Sequence, residues 1–265
     1  DNLALQGSVA VARGPAPVVT SANEHPPVLD TSRALAGRGV AVDVVPVDGE
    51  GRLDPADVAR AIRPETRLVS VMAANSEIGV LPPLAELGPL CAERGVLLHS
   101  DAAQAVGKIP LDVEALGIDL LAFSAHKIYG PKGIGALYVR RRRRDGRGRL
   151  ELAPLLHGGG HERGLRAGTL AVPLIVGLAR ALSLCLEERE VEARRLARLR
   201  DRLLEQLRAD PGAVRVNGDL GRRLPANLNL SFDGVEADAL LTAVPDLALS
   251  TGSACSSAHP EPSHV

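Results

Sequence analysis

Short apolar segments rich in β-branched residues alternate, along the first half of the chain, with segments whose apolar residues recur at helical spacing. Several of the short segments are apolar at nearly every position, which is typical of strands buried on both faces of a sheet. Strands are predicted at 18–20, 41–47, 67–74, 96–99, 120–123 and 135–139. Helices with a proline near their first turn are predicted at 26–37, 55–62 and 83–94. This alternation predicts an α/β fold with a mostly parallel sheet flanked by helices.

The second half of the chain has a different pattern. Apolar residues recur at helical spacing from about 172 to 208, which predicts one long helix. Shorter segments then predict strands at 214–216 and 227–232 and a helix at 235–244. We therefore expect a large α/β domain over residues 1–171. A bridging helix and a smaller α+β domain are expected over residues 172–265.

The amino-acid composition limits the kinds of molecule that the chain is expected to bind. The net charge of the 265 residues is −1 and aromatic residues make up 2%, so neither general attraction to nucleic acid nor stacking on bases is expected. The arginine-rich segment 140–149 is compatible with a nucleic-acid patch or with a solvated loop between strands, and its lack of aromatic residues favours the loop. No segment predicts a membrane span or a signal peptide, so we expect a cytoplasmic location.

The three cysteines do not predict a disulfide framework, because their number is odd and their spacing is wide. Cys91 and Cys185 lie in apolar helical segments, where a small buried side chain is the simplest interpretation. Cys255 differs, because small polar residues surround it. It is predicted to be a mobile, accessible thiol.

Lysine is rare in this chain, with three residues against 28 arginines. Lys127 directly follows a predicted buried strand, after a serine, an alanine and a histidine. Unlike a guanidinium, an amine can lose its proton and form a Schiff base with a carbonyl compound. Lys127 therefore indicates an enzyme that uses pyridoxal 5'-phosphate.

Polar residues follow four of the predicted strands, and the ends of parallel strands meet at one edge of a sheet, where ligands bind. Each group alone is weak evidence, but together they supply what pyridoxal 5'-phosphate requires. Asp101 would keep the pyridine nitrogen protonated, Gln104 and Asn75 would donate to the phenolic oxygen, and His25 would stack on the ring. Ser124 and His126 would contact the phosphate beside Lys127. No metal site is predicted.

Six segments, in order along essentially the whole chain, resemble those of cysteine desulfurases of the iron–sulfur and nitrogen-fixation type, within the class V aminotransferase family. They read TSANEHPPVL at 20–29, NSEIG at 75–79, HSDAAQAVGK at 99–108, SAHKIYGPKG at 124–133, HGGGHERGLRAGT at 157–169 and SACSS at 253–257. The resemblance implies a fold-type I transferase and a homodimer. It also implies that Thr169 reaches the cofactor phosphate of the partner subunit.

The resemblance further implies a reaction that converts L-cysteine to L-alanine. Lys127 would remove the Cα proton, Cys255 would attack the substrate sulfur to form a persulfide, and His25 would shuttle a proton. An iron–sulfur scaffold protein or a tRNA-thiolation carrier would then accept the sulfur. A selenocysteine lyase or an aminotransferase is the alternative among related enzymes, although neither requires an exposed Cys255.

Two parts of the family pattern have no match in these 265 residues. One is the Gly-Ala-Thr-Glu loop that cradles the cofactor phosphate, and the other is the arginine that binds the substrate carboxylate. We therefore expect these residues alone to retain the cofactor poorly and to be weakly active. An inactive chain that serves only as a binding scaffold is a further alternative.

Overall fold

The computed structural model describes residues 1–146, 148–209, 214–251 and 263–265. A six-stranded sheet forms its centre, with the strand order β2-β1-β3-β4-β5-β6. Neighbouring strands are parallel except for the last pair, in which β6 runs antiparallel to β5. The strands are β1 (Val18–Ser21), β2 (Val42–Val45), β3 (Leu68–Ser70), β4 (Leu97–Asp101), β5 (Leu120–Ser124) and β6 (Gly135–Val139). The predicted α/β fold with a mostly parallel sheet is confirmed.

Six α-helices occur in the described part of the chain, and the first of them was not predicted. They are α1 (Asn2–Ala10), α2 (Pro26–Ala36), α3 (Pro55–Ala61), α4 (Leu84–Arg94), α5 (Val172–Ala209) and α6 (Ala237–Ala243). A separate antiparallel pair consists of β7 (Val214–Val216) and β8 (Leu230–Phe232). None of the helices in the described ranges combines the length and the apolar character needed to cross a bilayer.

The central strands are buried on both faces, as their continuous apolar sequences predict. In β4 the neighbours Leu97 and Leu98 point to opposite faces, and both are buried. Leu97 packs in a cluster with residues of α1 and α2, while Leu98 packs with residues of α3, α4 and α5. The sheet is therefore the middle of three layers, and its strands end at a well-fixed edge.

The arginine-rich segment after β6 is only partly the solvated loop that its sequence predicts. Arg140 is 8% exposed; it donates to Glu114 at 2.6 Å and lies 3.2 Å from Asp119. Arg144 also donates to Asp119, whereas Arg141 is exposed. The expectation of a fully solvated loop is wrong because carboxylates distant in sequence lie beneath the segment.

The part of the chain after α5 contacts the sheet region at several places, which include Glu50, whose carbonyl accepts from the backbone N–H of Asp219 at 3.1 Å, and the segment that follows β3. A β-bridge connects Val80 with Arg223, and the side chain of Asn227 donates to the carbonyl of Glu77 at 2.9 Å. Asn229 donates to the same carbonyl at 3.3 Å. The turn from Asn75 to Gly79 therefore contacts both parts of the molecule.

Candidate active site

The predicted site residues lie where four strands of the sheet end. His25 follows β1, Asn75 follows β3, Asp101 ends β4, and Lys127 follows β5. Because these strands are parallel, their carboxyl ends share one edge of the sheet. The fold thus brings residues separated by up to 102 positions in sequence to one edge of the sheet.

His25 and Asp101 form the best-defined pair in the site. Nδ1 of His25 lies 3.8 Å from Oδ2 of Asp101, and the Asp101 side chain is almost fully buried. The other oxygen, Oδ1, accepts a hydrogen bond from the backbone N–H of Ala103 at 2.9 Å, which fixes the carboxylate. Burial lowers the pKa of His25, and the charge of Asp101 opposes that shift while Lys127 adds to it. His25 is therefore mainly neutral at pH 7.

Lys127 lies on a short 3₁₀ turn, Ala125–Ile128, that directly follows β5. Tyr129 ends this turn with a left-handed conformation, φ 62°, which is rare for a residue with a side chain. Lys127 and Gln104 both line a cavity of about 650 Å³. Within the described ranges, the Lys127 amine forms no hydrogen bond or ion pair, so its donors are available to a ligand.

Asn75 has a structural role that its position after a strand does not reveal. Its Oδ1 accepts from the backbone N–H groups of Glu77 and Ile78, at 2.8 and 2.9 Å, and its Nδ2 donates to the carbonyl of Asn23 at 3.0 Å. The side chain is 1% exposed. A single N–H of the amide remains to donate to a ligand.

The residues predicted to contact phosphate differ in exposure. Ser124 is partly buried at the end of β5, while His126 is exposed on the 3₁₀ turn. Thr169 is exposed as well, in the segment before α5. An exposed position is what a threonine needs if it is to reach a partner subunit.

The two cysteines that the structure describes have different surroundings. Cys91 is fully buried, as predicted, and burial raises the pKa of its thiol to about 12. Cys185 is only partly buried; its Sγ lies 3.5 Å from the carbonyl of Ile128 on the wall of the cavity. Cys255, the predicted nucleophile, lies outside the described residues.

Two further ionisable residues lie at the site although no role was predicted for them. Glu24 is fully buried beside His25, accepts from the backbone N–H of Met72, and has its pKa raised well above the usual value by burial and then by Asp101. Lys108 lines the same cavity as Lys127. Glu24 carried a sequence signal, since a carboxylate next to a histidine follows a buried strand.

The chemistry of these side chains fits pyridoxal 5'-phosphate. Within the part of the chain that the structure describes, this edge of the sheet holds a fixed carboxylate (Asp101), a neutral imidazole (His25), amide donors (Gln104 and Asn75) and an amine that forms no hydrogen bond or ion pair (Lys127). A carboxylate suits a protonated pyridine nitrogen, amide donors suit a phenolic oxygen, and an amine suits an aldehyde. Within the described ranges, no group of three or more histidine, cysteine or acidic residues is arranged to hold a metal ion.

Comparison with known proteins identifies the family of this chain. The family model described as aminotransferase class-V matches residues 2–265, and the chain belongs to this family. Over its whole length the chain is 51% identical to a protein named "Cysteine desulfurase IscS" from Anaeromyxobacter dehalogenans, of which it covers 65%. The chain thus spans about two thirds of the length of that curated relative.

Solved structures lead to the same family. The crystal structure of DndA from Streptomyces lividans has a TM-score of 0.84 and 42% identity, covering 92% of this chain and 68% of that one. A structure titled "SspA in complex with cysteine" has a TM-score of 0.79 and 34% identity, and the match covers 99% of this chain and 72% of that one. The likeness includes both the sheet region and most of the chain after it.

Proposed function

We propose that this chain provides the cofactor-binding part of a pyridoxal 5'-phosphate-dependent cysteine desulfurase, which converts L-cysteine to L-alanine and transfers the sulfur to an acceptor. The observation that carries the proposal is the fixed His25–Asp101 pair at the sheet edge that also bears Lys127. The 51% identity to a named cysteine desulfurase and the cysteine complex of a structural relative support the choice of substrate.

Each polar side chain of the site has a task in this proposal. With the cofactor bound, Asp101 would pair with the pyridinium nitrogen, Gln104 would donate to the phenolic oxygen and His25 would stack on the ring. Asn75 offers its remaining N–H from the turn that it also stabilises. Ser124 and His126 contact the phosphate, and the exposed Thr169 contacts that of a partner subunit.

When bound, the cofactor withdraws electrons from the substrate Cα, which makes the Cα proton acidic and weakens the bond between Cβ and sulfur. Lys127 takes the Cα proton, as its free amine allows. The thiolate of Cys255 attacks the substrate sulfur, so that an S–S bond forms while the C–S bond breaks. Alanine forms when Cβ, the carbon that loses sulfur, gains one proton and Cα regains the proton that Lys127 removed. His25 relays protons because it is mainly neutral at pH 7.

A homodimer is part of the proposal. The long helix α5 exposes large apolar side chains, among them Val176, Val191 and Leu199, each at least 50% exposed. Apolar surface of this kind is typical of an interface. The sulfur acceptor is proposed to be an iron–sulfur scaffold protein or a tRNA-thiolation carrier, and the protein is proposed to act in the cytoplasm.

Borohydride reduction tests the central claim. Treating the chain with pyridoxal 5'-phosphate and then borohydride should attach the cofactor irreversibly at Lys127, as peptide mapping would show. Lys127→Ala should remove the label and lower alanine formation from L-cysteine by about 10²–10⁴-fold. Lys132→Ala, which changes an exposed lysine, is the matched control. A label at Lys132 or Lys108 would contradict the proposal.

The nucleophile is tested separately. Cys255→Ala should abolish sulfide release in the presence of a thiol reductant, while the cofactor still attaches to Lys127. Cys91→Ala keeps a thiol at position 255 and should keep sulfide release. Alanine formation that survives Cys255→Ala would favour an aminotransferase or lyase reaction without a persulfide.

A further inference from the structure

Lys108 is a half-buried amine that the proposed reaction does not use. Its Nζ donates to Oε1 of Gln104 at 2.8 Å, and both residues line the cavity that contains Lys127. The preceding Gly107 has φ +75°, and a Cβ added there would lie 2.8 Å from the Cβ of Cys185. The turn is therefore held closely against α5, and the position of the amine is determined by that packing.

The Lys108–Gln104 contact determines which end of the Gln104 amide faces away from Lys108. A primary amide has an oxygen that accepts and a nitrogen that donates. An ammonium group has donors only, so it pairs with Oε1 and not with Nε2. Nε2 is thereby left at the opposite end of the amide, where its N–H groups are available to another acceptor. Without Lys108, a rotation of the amide by 180° would exchange the two ends.

This orientation matters for the cofactor. The phenolic oxygen of pyridoxal 5'-phosphate is an acceptor, so Nε2 of Gln104 stabilises it, whereas Oε1 in the same place would repel it. We propose that Lys108 is a positioning residue that holds Oε1 of Gln104 and thereby directs Nε2 to the cofactor. The proposal rests on the proposed function, in which Gln104 serves that oxygen.

The surroundings of Lys108 support an effect through Gln104 rather than through an ion pair. In the described part of the chain, Gln104 is the one acceptor to which the Lys108 amine donates. The charged and titratable groups that line the same cavity are Lys127 on the 3₁₀ turn, Tyr129 at the end of that turn and, on α5, Cys185, Glu188, Arg189 and Glu192. None of the carboxylates among them forms an ion pair with Lys108.

The protonation of Lys108 gives the proposal a pH signature. Burial lowers the pKa of Lys108 to about 8, and the charge of Lys127 adds to that shift. Below this pH the ammonium form accepts no hydrogen bond, so a single orientation of the amide is favoured. Above it the neutral amine both donates and accepts, and both orientations of the amide are compatible with the contact.

The first measurement needs no cofactor. The side-chain amide resonance of Gln104, assigned by its loss in Gln104→Leu, should titrate with a midpoint near pH 8 in the wild-type chain. The titration should vanish in Lys108→Met and persist in Lys132→Met, the matched control at an exposed lysine. A Gln104 resonance that does not respond to Lys108→Met would overturn the proposal.

The second measurement uses the protein loaded with pyridoxal 5'-phosphate. Lys108→Met should weaken cofactor binding about tenfold, the value of one hydrogen bond, and raise the pH midpoint of the visible absorbance band. Lys108→Arg, whose side chain also has donors only, should restore both. In a Gln104→Leu background, Lys108→Met should have no further effect, because the residue acts through Gln104.

The outcomes separate the two proposals. If Lys108→Met weakens cofactor binding equally in the wild-type and Gln104→Leu backgrounds, the positioning role is wrong. Lys108 would then act through its charge or through folding. A wild-type chain that shows the Gln104 titration but is not labelled at Lys127 by borohydride, even with excess pyridoxal 5'-phosphate, would overturn the proposed function and the cofactor role of Gln104. It would still support the pairing of Lys108 with Gln104.

Discussion

Apolar side chains are covered very differently in the six-stranded sheet and in the long helix α5. Every residue of β1, β3 and β4 is buried, whereas two of the 38 residues of α5, Ala181 and Leu204, are buried. The sheet region thus has its own two-sided core, whereas α5 leaves large apolar side chains exposed. The candidate site belongs to the sheet edge, where packing fixes the backbone before any ligand binds.

Charged groups show the same contrast. Asp119, 1% exposed, accepts from the backbone N–H of Leu98 and interacts with the guanidinium groups of Arg140 and Arg144. On α5, Glu192 and Arg195 form a bidentate pair whose side chains are 41% and 49% exposed. A buried carboxylate with several partners couples strongly to folding, while a solvated pair is screened.

The largest expected change in the free energy of unfolding comes from breaking the buried network around Asp119. Asp119→Ala should lower the free energy of unfolding by about 3–5 kcal/mol, because two guanidinium groups and one backbone N–H lose their common acceptor. Urea denaturation followed by circular dichroism measures the change. Glu192→Ala is the control on α5, and its unfolding curve should superimpose on that of the wild type. A large effect of both substitutions would remove the contrast between the regions.

The difference in burial between the sheet region and α5 can also be tested with leucine substitutions alone. Leu98→Ala in β4 should cost about 2–5 kcal/mol, because Leu98 is fully buried and leaves a cavity. Leu203→Ala on α5 should change the free energy of unfolding by less than about 0.5 kcal/mol, since Leu203 is 48% exposed and alanine favours helices. A loss at Leu203 that grows with protein concentration would instead show that this face is covered in an oligomer.

The sequence predicted the sheet region well because local pattern and final burial agree there. It missed α1, whose interior contains Gly7, a poor helix former. In the folded chain a Cβ at Gly7 would lie 2.7 Å from the carbonyl oxygen of Ala153, so glycine is required by a contact distant in sequence. Such a requirement is not visible in a local pattern.

The candidate site likewise has features that the sequence predicted and features that it did not. Because they follow predicted strands, Lys127, Asp101 and His25 were predicted to lie at one edge of the sheet, and the structure has them there. The spacing of Gln104 and Lys108 was visible, but their contact depends on the irregular turn after β4. The burial of Arg140 also depends on tertiary structure, because Asp119 precedes it by 21 residues.

A buried histidine in the sheet should make the stability of this region depend on pH. His99 is fully buried, pairs with Ser70 at 2.8 Å, and has its pKa lowered by burial from 6.5 to about 3. Below pH 6.5 His99 therefore binds a proton in the unfolded chain, whereas in the folded chain it stays neutral down to about pH 3. Between these values, His99 lowers the free energy of unfolding by about 1.4 kcal/mol for each pH unit of acidification.

Glu24 opposes this dependence, because its raised pKa gives stability that is present at low pH and is lost as pH rises above 4.5. The contribution of His99 is isolated by the difference between wild type and His99→Asn in urea titrations at several pH values. The variant should lose stability less steeply on acidification. His126→Asn replaces an exposed histidine and should keep the wild-type slope. Parallel curves for His99→Asn and wild type would show the prediction wrong.

The smallest effect is expected where the two regions join. Asn227 donates to the carbonyl of Glu77, in the turn whose N–H groups at Glu77 and Ile78 are held by Asn75. Asn227→Ala should cost about 1 kcal/mol, the net value of one hydrogen bond. It should also speed hydrogen exchange at those two N–H groups, while the amides of β4 serve as internal controls and keep their protection. Faster exchange throughout β4 would mean that the sheet depends on the second region, which would break the contrast between a self-sufficient core and a dependent helix.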